Sequence, residues 1–290
     1  MTALLESANL SRSFPGFRLN EIDLRLEGGS ILAMVGPNGA GKTTFLKLVM
    51  GLIPAEGGSL AVCGHSHPAG LVEIRNRVGY LPDQPPFLPN RRVDQVADLA
   101  GSFFSRWDPT RFSGFLELFT IPGDAPIKSL SGGRKTLLAL AVALSHDPEL
   151  LLLDEPFAGL DAAGRRQVLR LMNEFVADGG KAALIATHQT EGLAPLADRI
   201  AFLHEGRLIL DSRTEELLAD WKWLRYRQGA LAAALEDRLR CRETGSFGCR
   251  GLTPSYPEIA AELGAAVSEG EVHVSAASID DILISLTEGR

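Results

Sequence analysis

A glycine-rich loop between two apolar segments supplies the residue types that bind phosphate. Residues 36–43 match the spacing G-x-x-x-x-G-K-[ST], follow the apolar run 31–35 and precede a segment with helical character. Glycines let backbone N–H groups converge on phosphate oxygens, and a helix that begins there adds partial positive charge. Lys42 is placed to reach the β- and γ-phosphates of a nucleotide, and the Thr43 hydroxyl to ligate Mg²⁺.

Two carboxylates, Asp154 and Glu155, directly follow the apolar run 150–153. Ligands of open α/β sheets bind beyond the carboxyl ends of the strands, so we expect both side chains beside the phosphate loop. Successive residues point to opposite sides of a strand, which leaves Asp154 to hold Mg²⁺ through water and Glu155 to act as a general base on an attacking water. His188 follows another apolar run and is expected to hydrogen-bond the γ-phosphate and orient that water.

A second group of small and polar residues is Ser131, Gly132 and Gly133, predicted at the start of a long helix that ends near Ser145. Such a helix N-terminus offers backbone amides and a hydroxyl to an anion. The chain already has one phosphate loop, about 90 residues earlier in the sequence. A second anion site therefore suggests a nucleotide held between two copies of the chain, each of which supplies a different half.

Strands that alternate with helices must position these groups, and this alternation is typical of an α/β fold with a largely parallel sheet. Residues 4–35 are predicted as short strands, and residues 83–145 as a nearly all-helical insertion. Within the insertion, residues 93–119 indicate two helices, the second of which begins with Asp108 as the cap and Pro109 in the first turn.

The pattern changes after about residue 211 to a helix, a break at 245–257 and short αβ pieces. The segment 222–250 is locally basic in an acidic chain. It is interpreted first as a solvated helix face, with a docking surface for a partner or for acidic lipid headgroups as the alternative.

Together these motifs resemble the nucleotide-binding subunit of an ABC transporter. The matching segments are GPNGAGKTT at 36–44 (Walker A), LSGGR at 130–134 (signature), LLLLDEP at 150–156 (Walker B), AGLD at 158–161 (D-loop) and the switch histidine His188. The resemblance covers about residues 1–210. It implies an α/β fold: a P-loop NTPase (RecA-like) core with an antiparallel β subdomain, a helical insertion and a small C-terminal α+β extension.

The resemblance also implies a domain plan, cofactors and partners. An ABC ATPase domain is expected over 1–210, with a helical subdomain at about 88–147, and an accessory region over 211–290. ATP and Mg²⁺ are the implied cofactors, held at the interface of a head-to-tail homodimer or heterodimer of ATPase chains. The helices of 93–119 and the loop 83–90 are expected to touch a multi-span membrane permease, and no nucleic-acid partner is expected.

Individual site residues are carried over from the family motifs. They are Glu155, His188 and Lys42 for catalysis; Phe14, Gly36, Pro37, Asn38, Gly39, Ala40, Gly41, Lys42, Thr43, Thr44, Asp83, Gln84, Ser131, Gly132, Gly133 and Asp161 for nucleotide binding; and Thr43, Asp154 and Asp83 for the metal. Phe14 lies where the family keeps an aromatic residue that stacks on adenine, with Phe17 as the alternative. The family usually has Gln directly after Gly-Tyr-Leu-Pro, but Asp83 occupies that position and Gln84 follows it, so both remain candidates for the contact with Mg²⁺ or its water.

Charge, cysteine content and the length of apolar runs indicate which partners and which compartment to expect. The net charge of −7 argues against a nucleic-acid binder, and the three cysteines form no CxxC pair, which favours a reducing compartment. The longest apolar run, 137–144, is far shorter than the roughly 18–20 residues of a membrane span. We therefore expect a cytoplasmic protein, peripheral on the inner face of the cell membrane.

Three functions remain open. The helical segment around residues 104–109 resembles ATPase subunits of bacterial exporters, which favours an energy-coupling subunit of an exporter. An importer ATPase has the same motor residues. A soluble ABC ATPase acting on ribosomes or DNA is the third alternative, but the chain has one ATPase core and no heptad tract for a long coiled coil.

Overall fold

The computed structural model describes residues 3–245 and 248–288, divided between two compact units that span residues 1–210 and 211–290. The elements up to residue 213 are, in chain order, β1 (Ala3–Phe14), β2 (Phe17–Glu27), β3 (Ile31–Val35), α1 (Lys42–Val49), β4 (Gly57–Val62), β5 (His65–Ser66), α2 (Leu71–Arg77), β6 (Val78–Leu81), α3 (Val93–Gly101), α4 (Pro109–Leu118), α5 (Gly132–Leu144), β7 (Leu150–Asp154), α6 (Ala162–Val176), β8 (Ala182–Thr187), β9 (Arg199–His204) and β10 (Arg207–Arg213).

The central sheet brings three strand ends together. Its strand order is β10-β9-β3-β8-β7-β6, and the pairs from β9 to β6 are all parallel. Every residue of β3, β7 and β8 is buried, as expected for a parallel sheet covered on both faces. Val35 pairs with Thr187 and Asp154 pairs with Ala186, so the residues that follow β3, β8 and β7 meet at one edge. The α/β prediction is confirmed.

A second, antiparallel sheet with the order β2-β1-β4-β5 lies in the same unit. The prediction of short strands over residues 4–35 is wrong, because β1 and β2 contain 12 and 11 residues. The polar side chains of β1 divide between an exposed set, which includes Glu6 and Ser13, and two buried serines, Ser7 and Ser11. Register shifts near Asn9 and Leu10 let the long strand bend without ending.

The helical insertion contains α3, α4 and α5. Asp108 caps α4, as predicted: its carboxylate accepts hydrogen bonds from the backbone N–H groups of Thr110 and Arg111, and Pro109 occupies the first turn. The nearly all-helical prediction for 83–145 is wrong at 83–92, which has no helix. Several prolines there lack the N–H group that a helix requires.

An ion network ties the insertion to the central sheet. Asp147, just before β7, accepts hydrogen bonds from Lys181 Nζ at 2.7 Å and contacts Arg111 at 2.9 Å and the Arg106 guanidinium. Lys181 lies next to β8, whereas the two arginines lie at and before α4. Lys181 and Arg111 hold the pKa of the Asp147 carboxyl well below its usual range, with the Lys181 hydrogen bond as the largest cause.

The second unit contains α7 (Thr214–Asp220), β11 (Lys222–Tyr226), α8 (Ala233–Glu236), β12 (Arg240–Gly245), β13 (Gly248–Thr253), α9 (Tyr256–Ser268), β14 (Val272–Ala276) and α10 (Ile279–Glu288). Its four strands form an antiparallel sheet with the order β12-β13-β11-β14. Leu224, Tyr226, Ile259 and Leu263 belong to its apolar core.

The interpretation of 222–250 as a solvated helix face is wrong, because most of its basic residues lie on or beside strands. Arg225 pairs directly with Arg250 across β11 and β13. Alternation along a strand places these cations on one sheet face and Leu224 and Tyr226 on the other. The basic segment is therefore a feature of a sheet, and its docking role stays a prediction.

We predict that Asp147→Asn lowers the free energy of unfolding by about 1 kcal/mol at pH 7, the range of exposed ion pairs that form a network. Asn keeps the shape and tolerates the positive φ of 53° at this position. Because the folded pKa is depressed, the wild-type advantage is full above the unfolded pKa of about 4 and disappears as the pH falls through the folded value. Urea unfolding at pH 7 and below pH 4 measures the difference.

Asp98→Asn is the matched control, since Asp98 is exposed and has no ion pair among the residues described. An equal, pH-independent loss in both variants would contradict the proposed role of Asp147.

Candidate functional site: a phosphate-loop cleft

The loop between β3 and α1 requires glycine at two positions for different reasons. A Cβ atom on Gly36 would lie 2.1 Å from the backbone oxygen of Leu203 in the neighbouring strand β9. Gly41, which precedes α1, has a φ of 111°, and its Cβ would lie 2.8 Å from Cζ of Phe17. The loop therefore packs closely against two strands while its backbone turns into the helix.

Lys42, the first residue of α1, is buried within this loop. Its Nζ atom donates hydrogen bonds to the backbone oxygens of Gly36 at 2.7 Å and Pro37 at 3.1 Å. Burial lowers the pKa of the Lys42 ammonium, while the nearby carboxylates of Glu155 and Asp154 oppose that shift. Oε1 of Glu155 lies 4.0 Å from Nζ. The loop thus holds a desolvated cation directly beside the acidic strand end.

Asp154, at the end of β7, is a buried carboxylate with unused acceptor capacity. Its side chain is 1% exposed, and neither oxygen meets hydrogen-bond geometry with any residue in the described part of the chain. The Thr43 hydroxyl is nevertheless close enough to lower the pKa of Asp154. Burial raises that pKa more strongly, and Asp83 and Glu155 add to the rise. An orphaned, desolvated carboxylate beside a hydroxyl fits the oxygen ligands that a divalent cation takes.

Glu155 is fixed by the loop that follows β8. Oε1 accepts hydrogen bonds from the backbone N–H of His188 at 3.0 Å and from its ring Nδ1 at 2.8 Å. Oε2 accepts a hydrogen bond from the Thr187 hydroxyl at 2.8 Å. The Glu155 backbone has a φ of 51°, in the left-handed region that costs a non-glycine residue about 1–3 kcal/mol. The backbone of Glu155 is therefore strained, whereas its carboxylate is held in one position by three hydrogen bonds.

Lys42 and Glu155 line one open cleft of about 580 Å³, whereas Asp154 and His188 are not among its lining residues. Asp83 lies in its wall, whereas Gln84, Gly36 and Pro37 do not. Phe17 also lies in the wall and Phe14 does not; Phe14 packs on Phe17 with ring centroids 6.4 Å apart. The lining residues are Gly16, Phe17, Asn38, Gly39, Ala40, Gly41, Lys42, Thr43, Thr44, Asp83 and Glu155.

Ser131 and Gly133 line a different cleft, of about 490 Å³, at the start of α5, whereas Gly132 is not among its lining residues. Ser131 caps the helix, and Gly133 packs so closely on Gly159 that a Cβ would lie 2.3 Å from the Gly159 oxygen. Asp161 also lies in this cleft and caps α6 through a 2.7 Å bond from the Gly164 N–H. No residue lines both clefts.

Sequence reasoning missed two residues of the site. Thr187 contacts the Glu155 carboxylate, and its position directly before His188 was the available signal. Tyr80 lies on β6 beside β7, and its phenol pKa is raised to about 12 by burial, with Asp154 and Asp83 adding to the rise. Nothing in the local sequence around Tyr80 indicated that neighbourhood.

Two features of the described residues concern the expected membrane partner and metal site. No helix within 3–245 and 248–288 is long and apolar enough to cross a membrane. Across the same ranges, no group of three or more His, Cys, Asp or Glu residues is arranged to hold a metal ion. A cation in the cleft would therefore depend on oxygens other than those of a three-residue acidic cluster.

The parallel sheet, the phosphate loop and the acidic strand end define a P-loop ATPase of the ABC type. The ABC transporter family model matches residues 19–158. The chain is 32% identical over 223 residues to ABC transporter ATP-binding protein YtrB of Bacillus subtilis, a match that covers 74% of this chain and 75% of that protein. The chain therefore belongs to the family of ABC transporter ATP-binding proteins.

Other relatives carry names with opposite transport directions. The chain is 33% identical to Nod factor export ATP-binding protein I of Cupriavidus pinatubonensis, over 75% of this chain and 69% of that protein. It is 34% identical to Fe(3+) ions import ATP-binding protein FbpC 1 of Rhodococcus jostii, over 72% and 62%. A solved structure of the ATP binding subunit of an ABC transporter superposes with a TM-score of 0.68 at 25% identity, covering 74% of this chain and 92% of that chain.

We predict that Gly36→Ala lowers the free energy of unfolding by about 3 kcal/mol, because a methyl group there must displace the backbone of β9. Gly132→Ala is the matched control, since nothing lies within 4 Å of its would-be Cβ. Alanine at the start of α5 is expected to leave stability unchanged or raise it slightly. Chemical denaturation of both variants tests the packing argument, and similar stabilities would contradict it.

Proposed function

We propose that this chain is an ATP-binding and ATP-hydrolysing subunit that dimerises head to tail on ATP and drives a membrane-embedded permease. The observation that carries the proposal is the division of the site between two clefts with no residue in common. The phosphate-loop cleft of one chain would face Ser131 and Gly133 of a second ATPase chain, identical or related. Two ATP molecules would then complete two composite sites.

In this assignment the loop from Gly36 to Thr44 cradles the phosphates through backbone N–H groups and the N-terminus of α1. Lys42 contributes the charge beside the β- and γ-phosphates. Phe17 is the better placed aromatic for the adenine because it lines the cleft, and Phe14 supports it from behind. Thr43, Asp154 and Asp83 would hold Mg²⁺, which neutralises phosphate charge when bound.

Hydrolysis requires a water aligned with the γ-phosphate and a base to accept its proton. Glu155 is the proposed base, since its carboxylate lies beside Lys42 and is already oriented by hydrogen bonds. His188 is in direct contact with Glu155 and is half-exposed toward solvent, so the remaining ring nitrogen is free to meet the γ-phosphate. Each hydrolysis event removes the phosphate contact that favours the closed dimer.

Coupling to a membrane partner is supported by an apolar groove of about 650 Å³ beside α3. Leu88, Leu99 and Phe103 contribute to it and are 58%, 58% and 73% exposed, which is unusual for large apolar side chains. We assign this groove to the multi-span permease, which would place the chain on the inner face of the cell membrane. Asp83 in the adjoining loop lines the nucleotide cleft. A movement of this loop at the cleft would therefore also move the residues that it contributes to the groove.

Export is the favoured direction, supported by the Nod factor export relative. Import is the second candidate, because the relative of similar identity from Rhodococcus jostii is named for Fe(3+) import. The motor residues serve both directions, so the identity of the permease decides between them.

We predict that Glu155→Gln retains ATP binding and slows hydrolysis by about 10²- to 10⁴-fold, because the amide cannot accept the proton from water. ATP should then hold the variant as a dimer that size-exclusion chromatography detects, while phosphate release measures the rate. Glu191→Gln is the control, since Glu191 has a 90% exposed side chain outside the cleft lining. Near-normal turnover in Glu155→Gln would remove Glu155 from the catalytic role.

The partner is tested by purifying tagged Glu155→Gln protein from detergent-solubilised membranes with ATP present. We expect a multi-span membrane protein in stoichiometric amount, and its identity would indicate the direction of transport. Recovery of ribosomal proteins or DNA without a membrane protein would overturn the transporter proposal in favour of a soluble ABC ATPase.

A further inference from the structure

The hydroxyl of Thr187 links the backbone of β8 to the Glu155 carboxylate. Thr187 is the last residue of β8 and is 0% exposed. Its Oγ1 donates a hydrogen bond to Oε2 of Glu155 at 2.8 Å. From this geometry we infer that Thr187 is a positioning residue for hydrolysis, which sets the orientation of the Glu155 carboxylate without touching the substrate. The inference rests on the proposed function of Glu155 as the base.

The direction of the Thr187 hydroxyl proton is itself determined. Oγ1 accepts a hydrogen bond from the backbone N–H of Gln189 at 3.0 Å, two residues further along the chain. With that lone pair engaged, the hydroxyl proton is directed to Oε2 of Glu155. Two consecutive hydrogen bonds therefore connect the Gln189 backbone to the Glu155 carboxylate through the Thr187 hydroxyl. The backbone position of this loop thus determines how the carboxylate is oriented.

The two oxygens of Glu155 are thereby assigned different environments. Oε2 has the neutral Thr187 hydroxyl as its side-chain donor, whereas Oε1 faces His188 and, at 4.0 Å, Lys42. Anchoring Oε2 leaves Oε1 as the oxygen nearest to the charged groups of the cleft. Without the anchor the carboxylate would be held only at Oε1, by His188, and could turn about its terminal torsion, which is broad for glutamate. A misplacement of about 1 Å in a catalytic group is sufficient to cost on the order of 10²-fold in rate.

The register of β8 explains why Thr187 in particular can orient the Glu155 carboxylate. Val35 pairs with Thr187, and Asp154 pairs with Ala186, so β8 lies between the strand of the phosphate loop and the strand of Glu155. The Glu155 N–H also donates to the Ala186 oxygen at 2.8 Å. Ala186 and Thr187 thus hold the backbone and the side chain of Glu155 respectively.

The experiment compares Thr187→Val with Thr187→Ser, together with wild type. Valine preserves the shape and removes the hydroxyl, whereas serine keeps it. We expect Thr187→Val to lower kcat by about 10- to 100-fold while KM for ATP and ATP-dependent dimerisation stay unchanged. We expect Thr187→Ser to recover most of the wild-type kcat.

Thr253→Val is the matched control for loss of a buried threonine hydroxyl. Thr253 is also buried and accepts a backbone N–H bond from the residue two positions on, Ser255, but donates no hydrogen bond to Glu155. A purely structural role for Thr187 would make both valine variants alike, with a shift in thermal unfolding and no specific loss of kcat.

A double-variant cycle separates this inference from the proposed function. If Thr187 acts through the Glu155 carboxylate, adding Thr187→Val to Glu155→Gln should not slow the residual rate further. Unchanged kcat in Thr187→Val beside an active wild type would overturn only the inference about Thr187. Absence of ATP hydrolysis by the wild-type chain, alone and with its membrane partner, would overturn the proposed function itself.

Discussion

Parallel pairing of β3, β8 and β7 is the constraint on which the site depends. Each strand is short and wholly buried, so a shift of one residue in register would turn its side chains toward the wrong face. With the observed register, the phosphate loop, the His188 loop and the two carboxylates leave the sheet at one edge. Backbone pairing in the central sheet therefore brings three separate chain segments of the candidate site together.

Charged side chains are buried at that edge of the sheet, where their charged forms are disfavoured. Lys42 and Asp154 are both removed from water, and their pKa values shift in the directions that disfavour the charged forms. Each charge favours the other only in part, and Glu155 favours the charged form of Lys42 while it disfavours that of Asp154. A polyanionic ligand with a divalent cation would supply both missing partners at once, which explains why such costly groups lie together.

Local patterns predicted the site better than they predicted its surroundings. The phosphate loop, the cap at Asp108 and the apolar strands depend on residues close in sequence, and the structure has them where expected. The length of β1 was missed because register shifts interrupt its alternation of buried and exposed residues, and because Ser7 and Ser11 are polar yet buried. The Asp147 ion network was not predictable, since its partners are distant in sequence. Whether Phe14 or Phe17 faces the cleft depends on the turn between β1 and β2, which no spacing rule specifies.

The left-handed backbone at Glu155 sets a conflict between folding and chemistry at a single position. A glycine there would relieve the strain, yet it would remove the carboxylate that contacts both His188 and Thr187. Substitution by glycine at this position would therefore give a more stable protein that lacks the proposed catalytic base. Screens that select this chain for thermostability alone would be expected to drift toward loss of Glu155, so the strained glutamate is retained only while function is under selection.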